Sequence, residues 1–199
     1  MSTPVQAPAG APGGTRSDRV EQQLRARFPD LPFRRQEGPA VRDVTLFVPA
    51  ARLVEVCTFL RDDPELEFAL LASVSGVDWL PRDPRFEVVY HLLSLRHNHR
   101  FVLKVQVPEA DPRVPTVTGV WSTANWHERE TYDFYGIVFD GHPDLTRILL
   151  PDDWEGWPLR KDSPLGYQEV AFTHNTPGRT VPDPDLKKLA PKKVKYRAH

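Results

Sequence analysis

At 199 residues the chain has room for one domain with a sizeable core plus appendages. Its net charge of -1 argues against a protein built to coat nucleic acid or an anionic membrane. A single cysteine, Cys57, excludes an internal disulfide or an iron–sulfur cluster held by this chain's own thiolates, and it fits a reducing compartment. The 21 prolines gather toward the two ends, which predicts a folded middle between extended tails.

Residues 1–15, with Pro4, Pro8 and Pro12 in a Gly/Ala background, form a disordered arm and not a signal peptide. From Arg16 to Phe28, Val20 and Leu24 recur at helical spacing until Pro29 stops the helix. Val44, Leu46 and Val48 alternate as a strand. Leu53, Val56, Cys57 and Leu60 then fall at i, i+3, i+4 and i+7, the stripe of a helix lying on a sheet, with Cys57 a small core residue. Three strand candidates follow at Glu67–Val77, Phe86–Leu95 and Phe101–Val107, and the polar run Arg96–Arg100 joins the last two as a hairpin. None of these apolar runs approaches the ~20 residues of a membrane span.

Asp111-Pro112 and Pro115 end the sheet. Thr116 or Thr118 then caps a helix carrying Val117, Val120, Trp121 and Ala124 and running to Tyr135, with Gly136 at its C′ position. The fold class expected is α/β (α+β): a mixed, largely antiparallel sheet of about four strands, covered on one face by helices, with an extended C-terminal segment. Four regions result: the arm (1–15), an α/β domain (16–126), a charged aromatic segment (127–166) and an extended basic tail (167–199).

The charged aromatic segment is the most informative stretch. Between Glu128 and Asp162 nine acidic residues face four basic ones, interleaved with Tyr132, Phe134, Tyr135, Trp154 and Trp157. Glu128, Glu130 and Asp133 lie toward the C-terminus of the expected helix, where the macrodipole disfavours carboxylates by about 0.3–1 kcal/mol each. Arg129 can pair with Asp133 at i, i+4, and the remaining acids need cations such as Arg147, Arg160 and Lys161. A local rule broken this consistently has a specific reason.

Enzyme motifs are missing from the sequence. His127-Glu128 lacks the second zinc ligand of His-Glu-x-x-His, because residue 131 is threonine. His97 and His99 read as a solvated turn. In Gly-His-Pro-Asp, His142 can bond a carboxylate within a tight turn. Asp152 and Asp153 cap a short helix that includes Trp154. No glycine-rich phosphate loop or nucleophile elbow follows a strand. Residues 177–199 hold seven Lys/Arg against two Asp, a strap for an acidic partner or a solvated extension. A hydrolase built on Asp133, His127 and His142 and a nucleic-acid module using the basic tail are the competing readings.

Together, Glu128-Arg129-Glu130, Asp133, Gly136, His142-Pro143-Asp144-Leu145, Arg147-Ile148-Leu149, Asp153-Trp154, Gly156 and Pro158-Leu159-Arg160-Lys161-Asp162 closely resemble the signature of the 30 kDa subunit family of proton-pumping NADH:quinone oxidoreductase, respiratory complex I. One departure is Thr146, where the family commonly has a basic residue. The resemblance implies a non-catalytic structural and assembly subunit of the hydrophilic arm, peripheral on the cytoplasmic side of the inner membrane, touching the membrane only through the complex and binding no nucleic acid. It implies no cofactor in this chain, FMN and iron–sulfur clusters being held by partner subunits, and packing on the 49 kDa protein near the quinone site beside cluster-bearing neighbours. In that setting Glu128, Arg129, Glu130, Asp133, His142, Arg147, Trp154, Trp157, Arg160, Lys161 and Asp162 form an interface and scaffold, with the two tryptophans as buried anchors. The equivalent subunit of a related membrane-bound hydrogenase or ferredoxin-linked complex is the alternative.

Overall fold

The computed structural model describes residues 16–38 and 43–163. The expected N-terminal arm, the basic tail and the end of the charged segment beyond Ser163 lie outside them. Three helices, α1 (Arg16–Arg27), α2 (Leu53–Asp62) and α3 (Ala124–Tyr135), accompany strands β1 (Arg34–Arg35), β2 (Thr45–Phe47), β3 (Leu70–Asp78), β4 (Phe86–Ser94), β5 (His99–Val107), β6 (Arg113–Pro115) and β7 (Val138–Asp140).

The main sheet has five strands in the order β1-β2-β5-β4-β3, antiparallel except for the parallel β2/β5 pair. Its centre follows from the period-two pattern. Phe86, Val88, Tyr90 and Leu92 of β4 stand opposite Val107, Val105, Leu103 and Phe101 of β5 in register, and all eight are buried. On the opposite face Glu87 of β4 takes Lys104 at 3.2 Å, so that face is partly polar. The α2 stripe Leu53, Val56, Cys57 and Leu60 is buried as its spacing requires, and burial pushes the Cys57 thiol well up, keeping it neutral.

Two strand features depart from the sequence reading. The sheet has five strands rather than about four, because Arg34–Arg35 adds a two-residue antiparallel edge too short for periodicity to reveal. The main sheet does stop before Asp111-Pro112, its last strand ending at Val107, but a second sheet follows in which β6 pairs in parallel with β7, with Pro115 at the end of β6.

Helix α3 also starts later than expected. Neither Thr116 nor Thr118 caps it; the N-cap is Thr123, which makes no side-chain cap bond. Val117 to Trp121 form turns instead, with the Val120 and Trp121 N–H groups both donating to the Val117 carbonyl. Val117, Val120, Trp121 and Ala124 are nonetheless all buried, and Trp121 donates its indole N–H to the Phe68 carbonyl at 2.9 Å. Burial follows the apolar spacing even where the backbone is not helical.

α3 packs on β3 at Gly76, where an added Cβ would lie 2.6 Å from Cδ2 of Tyr135 and 3.1 Å from Cγ2 of Thr131. Among the described residues no helix is long and apolar enough to cross a membrane. Gly76→Ala should lower stability by about 1–3 kcal/mol through overpacking. Urea denaturation checks this, with a reduced midpoint and an unchanged m-value as the expected outcome.

Candidate functional site

The C-terminal end of α3 meets two segments that follow it, 144–150 and 157–163, and buried charge governs how they meet. Asp133, fully buried at the helix end, receives the backbone N–H groups of Ile148, Leu149 and Leu150 on Oδ2 at 3.2, 2.8 and 3.0 Å, while Arg147 donates to Oδ1 at 2.9 Å. Burial pushes this carboxyl up, but the three N–H groups and Arg147 outweigh it and hold it below its ordinary range. Successive N–H groups converging on one oxygen form an anion nest, and here the helix's own carboxylate fills it.

Asp133 therefore pairs with Arg147, not with Arg129 at i, i+4. Arg129 instead donates to the carbonyl and hydroxyl oxygens of Thr146 at 3.0 and 2.8 Å, and its guanidinium lies 5.0 Å from the ring centroid of Trp126.

Gly136 ends the helix in the left-handed region, at φ 69°, as its C′ position requires. Its missing side chain also admits Trp157, whose indole an added Cβ would strike. Trp157 packs edge-on against Tyr132 at 5.2 Å and lies 4.9 Å from the Arg147 guanidinium. Arg160 donates to the Tyr135 carbonyl at 2.7 Å, placing a cation on an orphan C=O at the negative end of the macrodipole. Burial, followed by repulsion from Arg85, lowers the Arg160 pKa.

The strap from Trp157 to Ser163 is fastened to the sheet by a residue the sequence reading missed. Arg85, 2% exposed at the entrance to β4, grips Asp78 at the end of β3 through Nε and Nη2 (3.0 and 2.7 Å). The same guanidinium holds Asp162 through Nη1 and Nη2 (3.2 and 2.6 Å) and Glu109 through Nη1 (2.6 Å). Asp78 also accepts the N–H groups of Leu80 and Lys161. Burial raises the Asp78 carboxyl, but Arg85 and these two N–H groups outweigh it and bring it to about 2. In sequence the only cue is an arginine directly before an apolar strand and an aspartate directly after another.

Other members of the charged segment depart from their expected roles. Lys161 joins the network through its backbone N–H while its side chain is exposed, and Glu130 sits on the solvent side of α3. Glu128, expected to need a cation, is buried against the Thr116 hydroxyl and the Val117 N–H. His142 does not bond a carboxylate: its Nδ1 accepts the Asp144 N–H, which leaves the proton on Nε2 to donate to the Asn125 carbonyl at 3.3 Å. Trp154 is not buried within this chain but 45% exposed, and Trp157 is half-buried. Asp152 and Asp153 lie in a turn closed by the Trp154 N–H on the Pro151 carbonyl, with no helix there. His97 reaches the Pro64 carbonyl and His99 packs edge-on to Phe68 as β5 begins, so this turn is not simply solvated.

Fold and site together define an α/β domain that pins a charged, aromatic C-terminal strap by carboxylate–arginine latches. The chain belongs to the family described as respiratory-chain NADH dehydrogenase, 30 kDa subunit, whose model matches residues 46–169. It is 55% identical over 156 residues to the C subunit of the NADH-quinone oxidoreductase of Roseiflexus sp. (strain RS-1), covering 78% of this chain and 88% of that one. It is also 47% identical over 192 residues to the corresponding NADH-quinone oxidoreductase protein of Mycolicibacterium gilvum (strain PYR-GCK), covering 93% and 83%. Among solved structures, a trypsin-resistant fragment of Nqo5 matches at 40% identity and a TM-score of 0.54, over 66% of this chain and all of the fragment. A chain of an archaeal membrane-bound sulfane sulfur reductase shares the fold, with a TM-score of 0.65 at 24% identity over 86% of this chain and 98% of that one.

Arg85→Ala strands Asp78 without its counter-ion and should cost about 3–5 kcal/mol in urea denaturation. Asp78's folded value of about 2 lies below its ordinary 3.8, so its contribution is whole above about pH 4 and is lost as pH falls through 2. Acid titration of stability should show that loss in the wild type and not in Asp78→Asn.

Proposed function

We propose that this chain is a non-catalytic structural and assembly subunit of the hydrophilic arm of an NADH:quinone oxidoreductase. In that complex electrons pass from NADH through FMN and iron–sulfur clusters, held by partner subunits, to quinone, coupled to proton translocation. The chain packs on the 49 kDa protein near the quinone site and is held at the cytoplasmic side of the inner membrane through the complex. Family membership and its relatives' shared name support the complex.

One observation carries the scaffolding role: the arginines of the segment are spent internally, while large aromatic surface beside them faces outward. Trp126 is 63% exposed and Trp154 45%, and they are linked through Arg129, Thr146 and Arg147, with the Arg147 Nη2 reaching the Trp154 carbonyl at 3.4 Å. Leu149 and Leu159, at 60% and 50%, add apolar surface on the same two segments. Tryptophan and arginine anchors of this kind are what protein interfaces favour, and such exposure is costly for a chain that stays alone.

The double variant Trp126→Ala/Trp154→Ala tests this directly. Thermal unfolding of the isolated chain should be nearly unchanged. Capture of the 49 kDa protein from solubilised native membranes, read by cross-linking and mass spectrometry, should fall at least tenfold, the equivalent of about 1.4 kcal/mol. Full capture by the variant, or cross-links from residues 126 and 154 only to unrelated proteins, contradicts the reading.

A further inference from the structure

Glu128 is the buried charged group that the latches leave unexplained. Its carboxyl is fully buried in α3, with Oε1 accepting the Val117 N–H at 2.8 Å and Oε2 bonded to the Thr116 hydroxyl. Beyond Thr116 lies a second hydroxyl, Thr118 Oγ1, 3.0 Å away. Both threonines are half-buried and line an open groove of about 510 Å³ shared with Gly119, Ser122, Asn125, Gly141 and Pro143. A carboxyl in the core is thus joined to an open groove by two hydroxyls in series.

We propose that Glu128 is a proton-binding site of this subunit, exchanging one proton with water in the groove through the hydroxyls of Thr116 and Thr118. The step balances without any other reactant. A hydronium ion in the groove gives a proton to Thr118 Oγ1 and is left as water, Thr118 passes its own to Thr116 Oγ1, and Thr116 passes its own to Glu128 Oε2. Both hydroxyls end neutral and the carboxylate has become a carboxylic acid. Each bond then survives: Oε2–H donates to Thr116, Thr116 donates to Thr118, and Oε1 still accepts from Val117. The fold thus accommodates both charge states, gripping the 116–121 segment with charge-assisted bonds in one and weaker neutral bonds in the other.

The surroundings favour exchange near neutrality. Burial raises the Glu128 carboxyl, the bonds from Thr116 and Val117 oppose it, and the balance stands at about 7. Tyr90 of β4 and Cys57 of α2 feel its charge, and both are buried groups pushed up and kept neutral. Charged groups on the neighbouring elements are committed elsewhere: Arg113 of β6 to Asp140 of β7, and Arg61 of α2 to Asp62 and the Val120 carbonyl. His142, beyond the groove, donates to Asn125. Because the folded value exceeds the ordinary 4.5, protonation adds stability that is whole below about pH 4.5 and is lost as pH rises through about 7.

Infrared difference spectroscopy of the full-length chain reads the site directly. The C=O stretch of a protonated carboxylic acid should be present at pH 6, disappear with a midpoint near neutral, and be missing in Glu128→Gln. Asp78 and Asp133, held low by their partners, stay ionised over that range. Thr116→Val removes a donor to the carboxylate and should move the midpoint up by roughly one pH unit. This second variant keeps the test decisive if Glu128→Gln does not fold. No acid band at pH 6, a band unchanged from pH 5 to 9, or a midpoint indifferent to Thr116→Val would overturn the proposal.

Discussion

A single buried guanidinium fastens the strap to the main sheet. Arg85 is out of water, so each of its N–H groups must find an acceptor or leave a charge unpaired in the core. Three carboxylates meet that demand from three places in the chain: Asp78 at the end of β3, Glu109 just after β5 and Asp162 in the strap. A buried ion pair contributes little net stability against an apolar substitute, yet removing one member is costly, so its main effect is to exclude other arrangements. With Asp162 fixed, Lys161 must present its N–H to Asp78, Arg160 meets the end of α3, and Trp157 settles over Gly136.

The Asp133 nest works by the same logic at closer range. A carboxylate in the last turn of a helix is misplaced with respect to the helix dipole, yet three N–H groups and one arginine reverse that disadvantage. The following chain must therefore turn back sharply enough to aim residues 148–150 at one oxygen. Helix end, nest and strap are thereby tied together, with Trp154 exposed between nest and strap and Trp126 exposed on the first turn of α3.

Legibility from sequence follows the range of the forces involved. The α2 stripe, the alternation of β4 and β5, the hairpin joining them and Gly136 at the end of α3 are local patterns, and each is readable, although His99 and Arg100 of the expected turn belong to β5. Strands of two or three residues, β1, β6 and β7, carry no period to detect. The start of α3 is misread because Val117, Val120 and Trp121 have helical spacing but are buried from turns. Within the site the acids and bases are recognisable, but their pairing is not. Arg129 is four residues from Asp133 and loses to Arg147, fourteen away, because only the latter arrives together with three backbone donors. Arg85 cannot be singled out, since its partners lie 7, 24 and 77 residues distant. The motif resemblance supplies what spacing cannot, namely the family to which the segment belongs.

Breaking the strap's fastening inside a working complex separates architecture from chemistry. Cells carrying Asp162→Asn in place of the native chain would be assayed for two quantities, the amount of assembled oxidoreductase in their membranes and its NADH:quinone turnover per assembled complex. Reduced assembly with unaltered turnover per complex is the predicted result. Full assembly with turnover abolished would mean that the strap takes part in the reaction, and would contradict a purely scaffolding chain.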